Sequence, residues 1–358
     1  MWSLQNIADN LHSWLYNTFN PTIALLIEFA IIGVLAIGLF SILGLVLIFM
    51  ERKVSAWMQL RLGPNRVGPK GMFQTVADTL KLIVKEGMTP TGVDKLLFNL
   101  APFIVMIVAM VVLAPLMFAK GFQIWDINIG VFFITAISSV SVIGILMAGW
   151  ASNNKYSLLG AMRSGAQIVS YELSAGLSVI AIVVLTGSLK VSDIIASQQD
   201  GWWIFKGHLP VWIAFVIFII AVTAETNRAP FDLAEAESEL TAGFHTEYSG
   251  MKFALFFLAE YVNIFVVCAI GATLFFGGWM PLHFGTGTKF NEVMDYIPSS
   301  VWFFGKTFFL IFIIMWFRWT FPRMRIDQLL NLEWKYLLPI SMINLLLVTL
   351  IAIMKWHF

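Results

Sequence analysis

Six carboxylate side chains lie within 23 residues of the sequence, between two long apolar stretches, and a cluster of this kind is suited to proton transfer. Only 12% of the whole chain is charged, so this density is local. A carboxylate close to a bilayer must hold a proton, pair with a cation or line water, because hydrocarbon does not solvate charge. The segment therefore predicts proton handling. Its acids are Glu225, Asp232, Glu235, Glu237, Glu239 and Glu247.

Further acids lie where the chain enters apolar stretches. Glu172 is about six residues inside one stretch, so it is protonated, paired, wet or reaching headgroup water at the membrane rim. Glu28 and Glu260 lie inside two others, either on a proton path or paired with a neighbouring helix. Carboxylates at several helix ends predict a wet acidic path, since protons hop between groups of similar pKa that water connects.

The polar loop at residues 51–97 combines acids with arginines. Arg61 and Arg66 carry planar guanidinium groups, which bind carboxylate or carbonyl oxygens in fixed geometry. Apolar residues at helical spacing predict a helix over residues 71–85, with Asp78 and two lysines on its polar face. This helix is either an ordinary amphipathic surface helix or one wall of a binding site.

The acidic segment itself predicts a short helix. Asp232 and Glu235 have the spacing of a capping box, and Gly243 is suited to end a helix of about three turns. Acids favour the first turn of a helix, which explains Asp232 and Glu235 without a functional role. That explanation does not extend to Glu239.

The elements that position these residues are membrane helices. The chain is 59% hydrophobic with a mean hydropathy of +0.83, and a bilayer core needs about 20 apolar residues per helix. We predict an all-α polytopic membrane protein, a single transmembrane domain over residues 1–358, with about eight spans and an amphipathic interfacial helix near residues 4–14. The apolar stretches are residues 22–50, 98–118, 129–150, 166–185, 209–223, 253–276, 301–319 and 337–356.

Lysine and arginine predict the orientation of the spans. One set of loops holds 16 of the 22 basic residues and 13 of the 21 acids, so this set faces the cytoplasm or, in an organelle, the matrix. Nearly balanced charge there fits a docking surface or polar cavity, or simply solvated loops that obey the orientation rule. The predicted inward loops are 51–97, 151–165, 224–252 and 318–336.

The composition excludes several kinds of site. The single cysteine, Cys268, cannot form an intrachain disulfide or hold an iron–sulfur cluster, which needs about four ligands. The five histidines lack metal-ligand spacing, and no glycine-rich nucleotide loop or long basic run occurs. We therefore expect no metal site and no nucleic-acid partner, and any electron carriers belong to other chains.

Five stretches resemble one protein family. The resemblance covers about residues 45–338 and is most specific at residues 230–240, PFDLAEAESEL. A second signature, GMFQTVADTLKLIVKE, is nearly complete, with Thr79 where the family has a small or aliphatic residue. The chain is similar to the complex I membrane-subunit family that contains subunit 1 of NADH dehydrogenase and the H subunit of bacterial NADH-quinone oxidoreductase. The stretches are ERKVSAWMQLRLGPNRVGPKG, ADTLKLIVKE, GWASNNKYSLLGAMRSGAQIVSYE, AETNRAPFDLAEAESEL and EYSGMKFALFFLAEY.

The resemblance implies a fold of eight spans with an interfacial N-terminal helix. It implies a subunit that binds no cofactor itself, forms the membrane side of a quinone tunnel and couples quinone reduction to proton pumping. The implied protein partners are the peripheral-arm subunits that form the quinone site, and the antiporter-like and small membrane subunits. FMN and iron–sulfur clusters are expected in the partner subunits. Quinone and membrane lipids are the other implied partners.

Site residues follow from the matching positions. The resemblance places Arg61, Arg66, Arg228, Asp232 and Phe244 at the quinone cavity. It places Glu86, Glu172, Glu225, Glu235, Glu237, Glu239 and Glu247 in an acidic channel that leaves the cavity, with Glu51 and Asp78 at polar positions nearby.

Two other functions stay open at this point. The same fold occurs in membrane-bound hydrogenases and formate hydrogenlyases, which bind no quinone, and a stand-alone ion transporter is a rival of another class. Internal repeats typical of transporters are not evident in the sequence. The length and the long outward loops fit a bacterial inner membrane better than the mitochondrial inner membrane.

Overall fold

The computed structural model describes residues 4–234, 237–283, 289–354 and 356, without the side chains of residues 4–9, 237 and 238. Glu235 and the side chain of Glu237 therefore lie outside the described residues. In the described part the chain is almost entirely helical. Its only sheet there is a two-stranded antiparallel hairpin, β1 (Met117–Ala119) and β2 (Phe122–Gln123).

In the part of the chain that the structure describes, seven helical segments are long and apolar enough to cross a membrane, and one shorter apolar helix, α4 (Lys95–Val111), joins them. The shorter helix, α4, has 17 residues, at the lower limit for a span. The all-α polytopic fold is confirmed. The long segments are α2 (Pro21–Met58), α5 (Gly130–Ala151), α6 (Lys155–Thr186), α9 (His208–Glu225), α11 (Gly250–Phe276), α13 (Ser299–Thr320) and Ile326–Met354, and the shorter helix is α4 (Lys95–Val111).

Short helices connect the long ones. The segment Ile326–Met354 consists of α14 (Ile326–Leu332), a π-helical turn at Glu333–Leu337 and α15 (Leu338–Met354). The first described helix, α1 (Leu4–Thr18), overlaps the predicted interfacial helix at residues 4–14. The remaining α-helices are α1 (Leu4–Thr18), α3 (Gln74–Val84), α7 (Val191–Ala196), α8 (Trp203–Lys206), α10 (Glu237–Leu240), α12 (Lys289–Asp295), α14 (Ile326–Leu332) and α15 (Leu338–Met354).

Local chemistry sets several helix ends. The carboxylate of Asp94 accepts hydrogen bonds from the backbone N–H groups of Leu96 and Leu97, and so caps α4. The side chain of Asn154 accepts from the backbone N–H of Tyr156 at 2.9 Å and starts α6. At the other end of α6, Gly187 adopts a left-handed conformation, which glycine reaches without steric cost.

Two predicted elements differ in the structure. The three-turn helix expected from Asp232 to Gly243 was wrong, since α10 is a single turn followed by a 3₁₀ turn at Gly243–His245. The reason is tertiary, because Asp232 pairs with Arg323 at 2.9 Å and so serves a contact with another loop. The second apolar stretch also ends its helix early, at Val111, and continues into the β1–β2 hairpin.

Helix α6 packs against α5, α9 and α15. Helix α11 packs against α4, α13 and α2, and it is the most deeply buried span. The largest apolar cluster therefore runs along α11 and α13. Polar groups on α6, α9 and α11 face protein as well as lipid, and this placement allows charge inside the membrane.

Candidate functional site

Arg228 is the centre of a buried ionic network. Its Nη1 atom lies 3.2 Å from Glu51, and its Nη2 atom lies 3.0 Å from Glu260. The guanidinium also stacks over the ring of Tyr261, 4.6 Å from the centroid. Arg318 of α13 contacts Glu51 from the other side. Two carboxylates and two guanidinium groups therefore neutralise each other where α2, α11 and α13 meet the turn after α9.

A buried glutamine holds that turn in place. The amide nitrogen of Gln167 on α6 donates to the backbone carbonyls of Ala224 and Phe231, at 2.7 and 2.8 Å. Gln167 has no exposed surface, so these bonds are shielded from competing water. The backbone N–H of Arg228 bonds to the carbonyl of Thr223 at 3.3 Å. The turn thus fixes the position of Arg228 and of Glu225, the last residue of α9.

Glu225 lies between two cavities. The first, of about 50 Å³, is also lined by Glu260, Asn263 and Phe244. This volume is enough for water, since about 10–15 Å³ of such space holds one molecule. The second cavity, of about 350 Å³, is lined by Glu225 and Glu172. Among the described residues, no basic side chain lies within ion-pair distance of Glu225.

Glu172 lies on α6, at the second cavity. The hydroxyl of Ser139 on α5 donates a hydrogen bond to its carboxylate. Ser138 also lines this cavity, so the space beside Glu172 contains two serine side chains within a largely apolar lining. Four acids therefore form a line that passes through the two cavities and ends at the Arg228 network. They are called the carboxylate series here and are, in order, Glu172, Glu225, Glu260 and Glu51.

Other predicted site residues form ion pairs at one end of the bundle. Glu239 is exposed and lies 2.6 Å from Arg163, and Asp232 pairs with Arg323 of the linker between α13 and α14. The carboxylate of Glu247 accepts a hydrogen bond from the amide of Asn154 at 2.6 Å. These contacts join three of the four predicted inward loops, so those loops share one face of the bundle.

The structure does not bring every predicted residue into the site. Asp78 pairs with Arg52 at 2.5 Å on the surface of the first loop. Glu86 and Arg66 are exposed, and Arg61 contacts Gln59 at 2.6 Å. Within the described part of the chain, none of these side chains forms a hydrogen bond or an ion pair with a member of the carboxylate series.

Phe244 and its neighbours form an aromatic wall beside the first cavity. The ring of Phe244 lies 5.4 Å from that of Phe256, and burial lowers the pKa of the adjacent His245 to about 4. Burial also raises the pKa of Tyr248, whose hydroxyl donates to the carbonyl of Phe98 at 3.1 Å. The wall stays neutral at physiological pH.

Sequence reasoning missed some functional neighbours and left others undecided. Glu260 was left between a proton path and an ion pair, and the structure gives it both a cavity and Arg228. Arg318, Ser139 and Gln167 were not selected. A charged residue at the inner end of an apolar stretch was a usable signal for Arg318, but serines and glutamines in apolar stretches are too common to indicate a site.

Among the described residues, no group of three or more acids, histidines or cysteines is arranged to hold a metal ion. The fold and the site define a class: a polytopic helical membrane protein that holds several carboxylates inside its helical bundle. Such a site can support proton transfer, and it can bind the polar end group of a ligand.

Comparisons with known proteins identify the family. The sequence model of the NADH dehydrogenase family matches residues 29–349. The H subunit of NADH-quinone oxidoreductase from Bacteroides fragilis is 56% identical over the full length of both chains, and that from Bacteroides thetaiotaomicron is 55% identical over the same extent. The protein of that name from Brevibacillus brevis is 49% identical over 85% of this chain and 87% of its own. The chain belongs to the NADH dehydrogenase family.

Proposed function

We propose that the chain is the membrane-arm subunit of a proton-translocating NADH:quinone oxidoreductase, at the junction with the peripheral arm. In this role it forms the membrane side of the quinone cavity and passes protons or charge along the carboxylate series. Relatives that match over their full length and are named as the H subunit of this enzyme support the assignment, against the related hydrogenases and against a stand-alone transporter.

The observation that carries the proton role is the position of Glu225. It lines both cavities, so it is the shared member between Glu172 on one side and Glu260 on the other. Water in the small cavity would connect Glu225 with Glu260, because both carboxylates line a space large enough for it. An acid there without a basic partner among the described residues carries a proton more cheaply than a charge.

The Arg228 network supplies the coupling to quinone chemistry. Quinone reduction takes up two electrons and two protons per molecule, so a proton deficit arises at the site where the quinol forms. Arg228 is shared by Glu51 and Glu260, and protonation of either carboxylate strengthens its hold on the other. A charge change at the inward face would therefore reach Glu260 through Arg228.

The quinone side of the proposal comprises Arg228, Asp232 and Phe244, with Arg61 and Arg66 facing the peripheral arm. Phe244 lines the same cavity as Glu225 and Glu260, so the proposed quinone wall and the proton path meet there. The electron carriers, FMN and iron–sulfur clusters, belong to partner subunits, since one cysteine cannot hold a cluster. The enzyme is located in the bacterial inner membrane.

The test is Glu225→Gln in the assembled complex, reconstituted into sealed vesicles. We expect proton translocation to fall at least about tenfold, which is about 1.4 kcal/mol, while NADH oxidation by a water-soluble artificial acceptor stays normal. Glu239→Gln should have a smaller effect, because Glu239 is exposed and paired with Arg163. Exposed Glu292 provides the matched control, Glu292→Gln.

Full quinone reduction together with full proton translocation in Glu225→Gln would refute the proton role. Subunit identification in the same purified complex tests the assignment itself. Partners that carry flavin and bind NADH support it, and a nickel–iron partner would refute it in favour of a hydrogenase.

A further inference from the structure

Glu333 is a buried carboxylate that the carboxylate series does not use. It opens the π-helical turn between α14 and α15 and has 0% of its surface exposed. The sequence placed it in an inward loop, residues 318–336, but the structure places it inside the helical segment that starts at Ile326. Seven residues at about 1.5 Å each put it about 10 Å along that segment.

The surroundings of Glu333 leave half of its carboxylate without a partner. The hydroxyl of Ser174 on α6 donates a hydrogen bond to Oε1. Within the described part of the chain, Oε2 has no hydrogen-bond partner and no basic side chain lies within ion-pair distance. The titratable side chain that faces Glu333 from α6 is Tyr171, whose hydroxyl already donates to the carbonyl of Leu329 at 3.0 Å. Charged residues on its own segment, Arg325, Asp327 and Lys335, are exposed.

Glu333 is one end of a polar seam between α6 and α15. The seam continues through Ser174 and Ser178 on α6 and through Ser341 and Asn344 on α15, all of them buried. The Oδ1 atom of Asn344 is also without a hydrogen-bond partner among the described residues. Buried oxygens normally have donors, so two such atoms on one seam indicate a place where a proton or water is taken up.

The seam is separate from the carboxylate series. Ser174 follows Glu172 by two positions on α6, a rotation of about 200°, so the two side chains leave opposite faces of the helix. A lone ionised carboxylate in such a place costs far more than a neutral acid. A π-helical turn at the acid also fits a functional position, since such turns are frequent at functional sites.

We propose that Glu333 is a second proton-binding site of this subunit. Its carboxylate takes up one proton from the inward aqueous side to become a carboxylic acid, and it releases that proton to the same side. The proton exchange is independent of Glu172, Glu225 and Glu260. The packing of the π-helical turn before α15 changes with this protonation, because the charge of Glu333 sets how closely the turn packs against Ser174.

The test is pH-difference infrared spectroscopy of the purified complex, from about pH 5 to about pH 9. We expect a carboxylic-acid C=O band in the wild type that is lost in Glu333→Gln and kept in the exposed control Glu292→Gln. Ser174→Ala should keep the band but shift its frequency and its midpoint, since one hydrogen bond to the carboxyl is lost. Glu225→Gln should leave the band unchanged, which separates this inference from the proposed function.

Two results would overturn the proposal. One is a difference between the wild-type and Glu333→Gln spectra that contains only carboxylate bands at every pH, which would mean that Glu333 stays ionised beside a cation. The other is loss of the same band in Glu225→Gln, which would place Glu333 on the first path. Should Glu333→Gln prevent assembly, Ser174→Ala decides alone, and an unshifted band refutes the site.

Discussion

Removing the charge of Arg228 should destabilise the protein more than removing any exposed charge. Arg228→Met leaves Glu260 without its cation and leaves Glu51 with Arg318 only. At 3.0 Å between Nη2 and Oε1, an effective dielectric constant of about 20 gives a gross attraction of about 5.5 kcal/mol. Desolvation of both ions offsets part of it. Removal of one partner from a buried pair costs about 3–5 kcal/mol, and we expect a loss in that range.

A second substitution tests the reason for the loss. Glu260→Gln removes the charge that Arg228→Met strands, so the double variant should recover about half of the lost stability. The coupling between the two sites should be about 1–3 kcal/mol. The measurement is thermal unfolding of the purified complex, with all four members of the cycle compared by their midpoints under one set of conditions. Arg52→Met, on an exposed pair with Asp78, is the control and should cost at most about 1 kcal/mol.

Two outcomes would contradict this prediction. A single variant Arg228→Met as stable as the wild type would show that the network contributes nothing. A double variant that is no more stable than Arg228→Met would show that Glu260 is not the stranded charge. In the second case the loss comes from packing against the ring of Tyr261.

Three further predictions concern the surroundings of the site. Burial lowers the pKa of His245 to about 4, below its unfolded value of about 6.5. The stability of the folded protein is therefore unaffected by His245 above pH 6.5 and falls by about 3 kcal/mol as the pH drops from 6.5 through 4. In unfolding measurements over this pH range, His245→Gln should flatten the decline. Gly160→Ala should reduce stability by about 1–3 kcal/mol, because the new Cβ would lie 2.8 Å from the Cα of Gly243. Lys306→Met should reduce stability by about 3 kcal/mol, because the amine donates to three backbone carbonyls, at 2.5 to 2.9 Å.

Each of these predictions has its own control. An unchanged pH slope in His245→Gln would assign the acid sensitivity to other groups. Gly176→Ala on the same helix meets nothing within 4 Å, so an equal loss in both glycine variants would contradict the steric argument. Lys289 is exposed, and Lys289→Met should be neutral; an equal loss there would contradict the role of the three carbonyls.

The spans were accessible from the sequence because they depend on composition. Runs of about 20 apolar residues must cross the membrane whatever their neighbours are, so all seven long segments were predicted, and only their ends were uncertain. Helix α2 continues eight residues beyond the predicted end at residue 50, to Met58, since its last turns are stabilised by tertiary contacts rather than by lipid. Local rules placed α3 within about three residues, at Gln74–Val84.

The site divides in the same way. The sequence by itself determined that acids lie where hydrocarbon should exclude them, because the cost of a charge in lipid makes each one conspicuous. It could not determine their partners, since the two arginines that contact Glu51, Arg228 and Arg318, are 177 and 267 positions away along the chain. Only the packing of α2, α11 and α13 around the turn after α9 decided which of these acids are paired and which share a cavity. The packing of α15 against α6 buried Glu333 without a basic partner among the described residues.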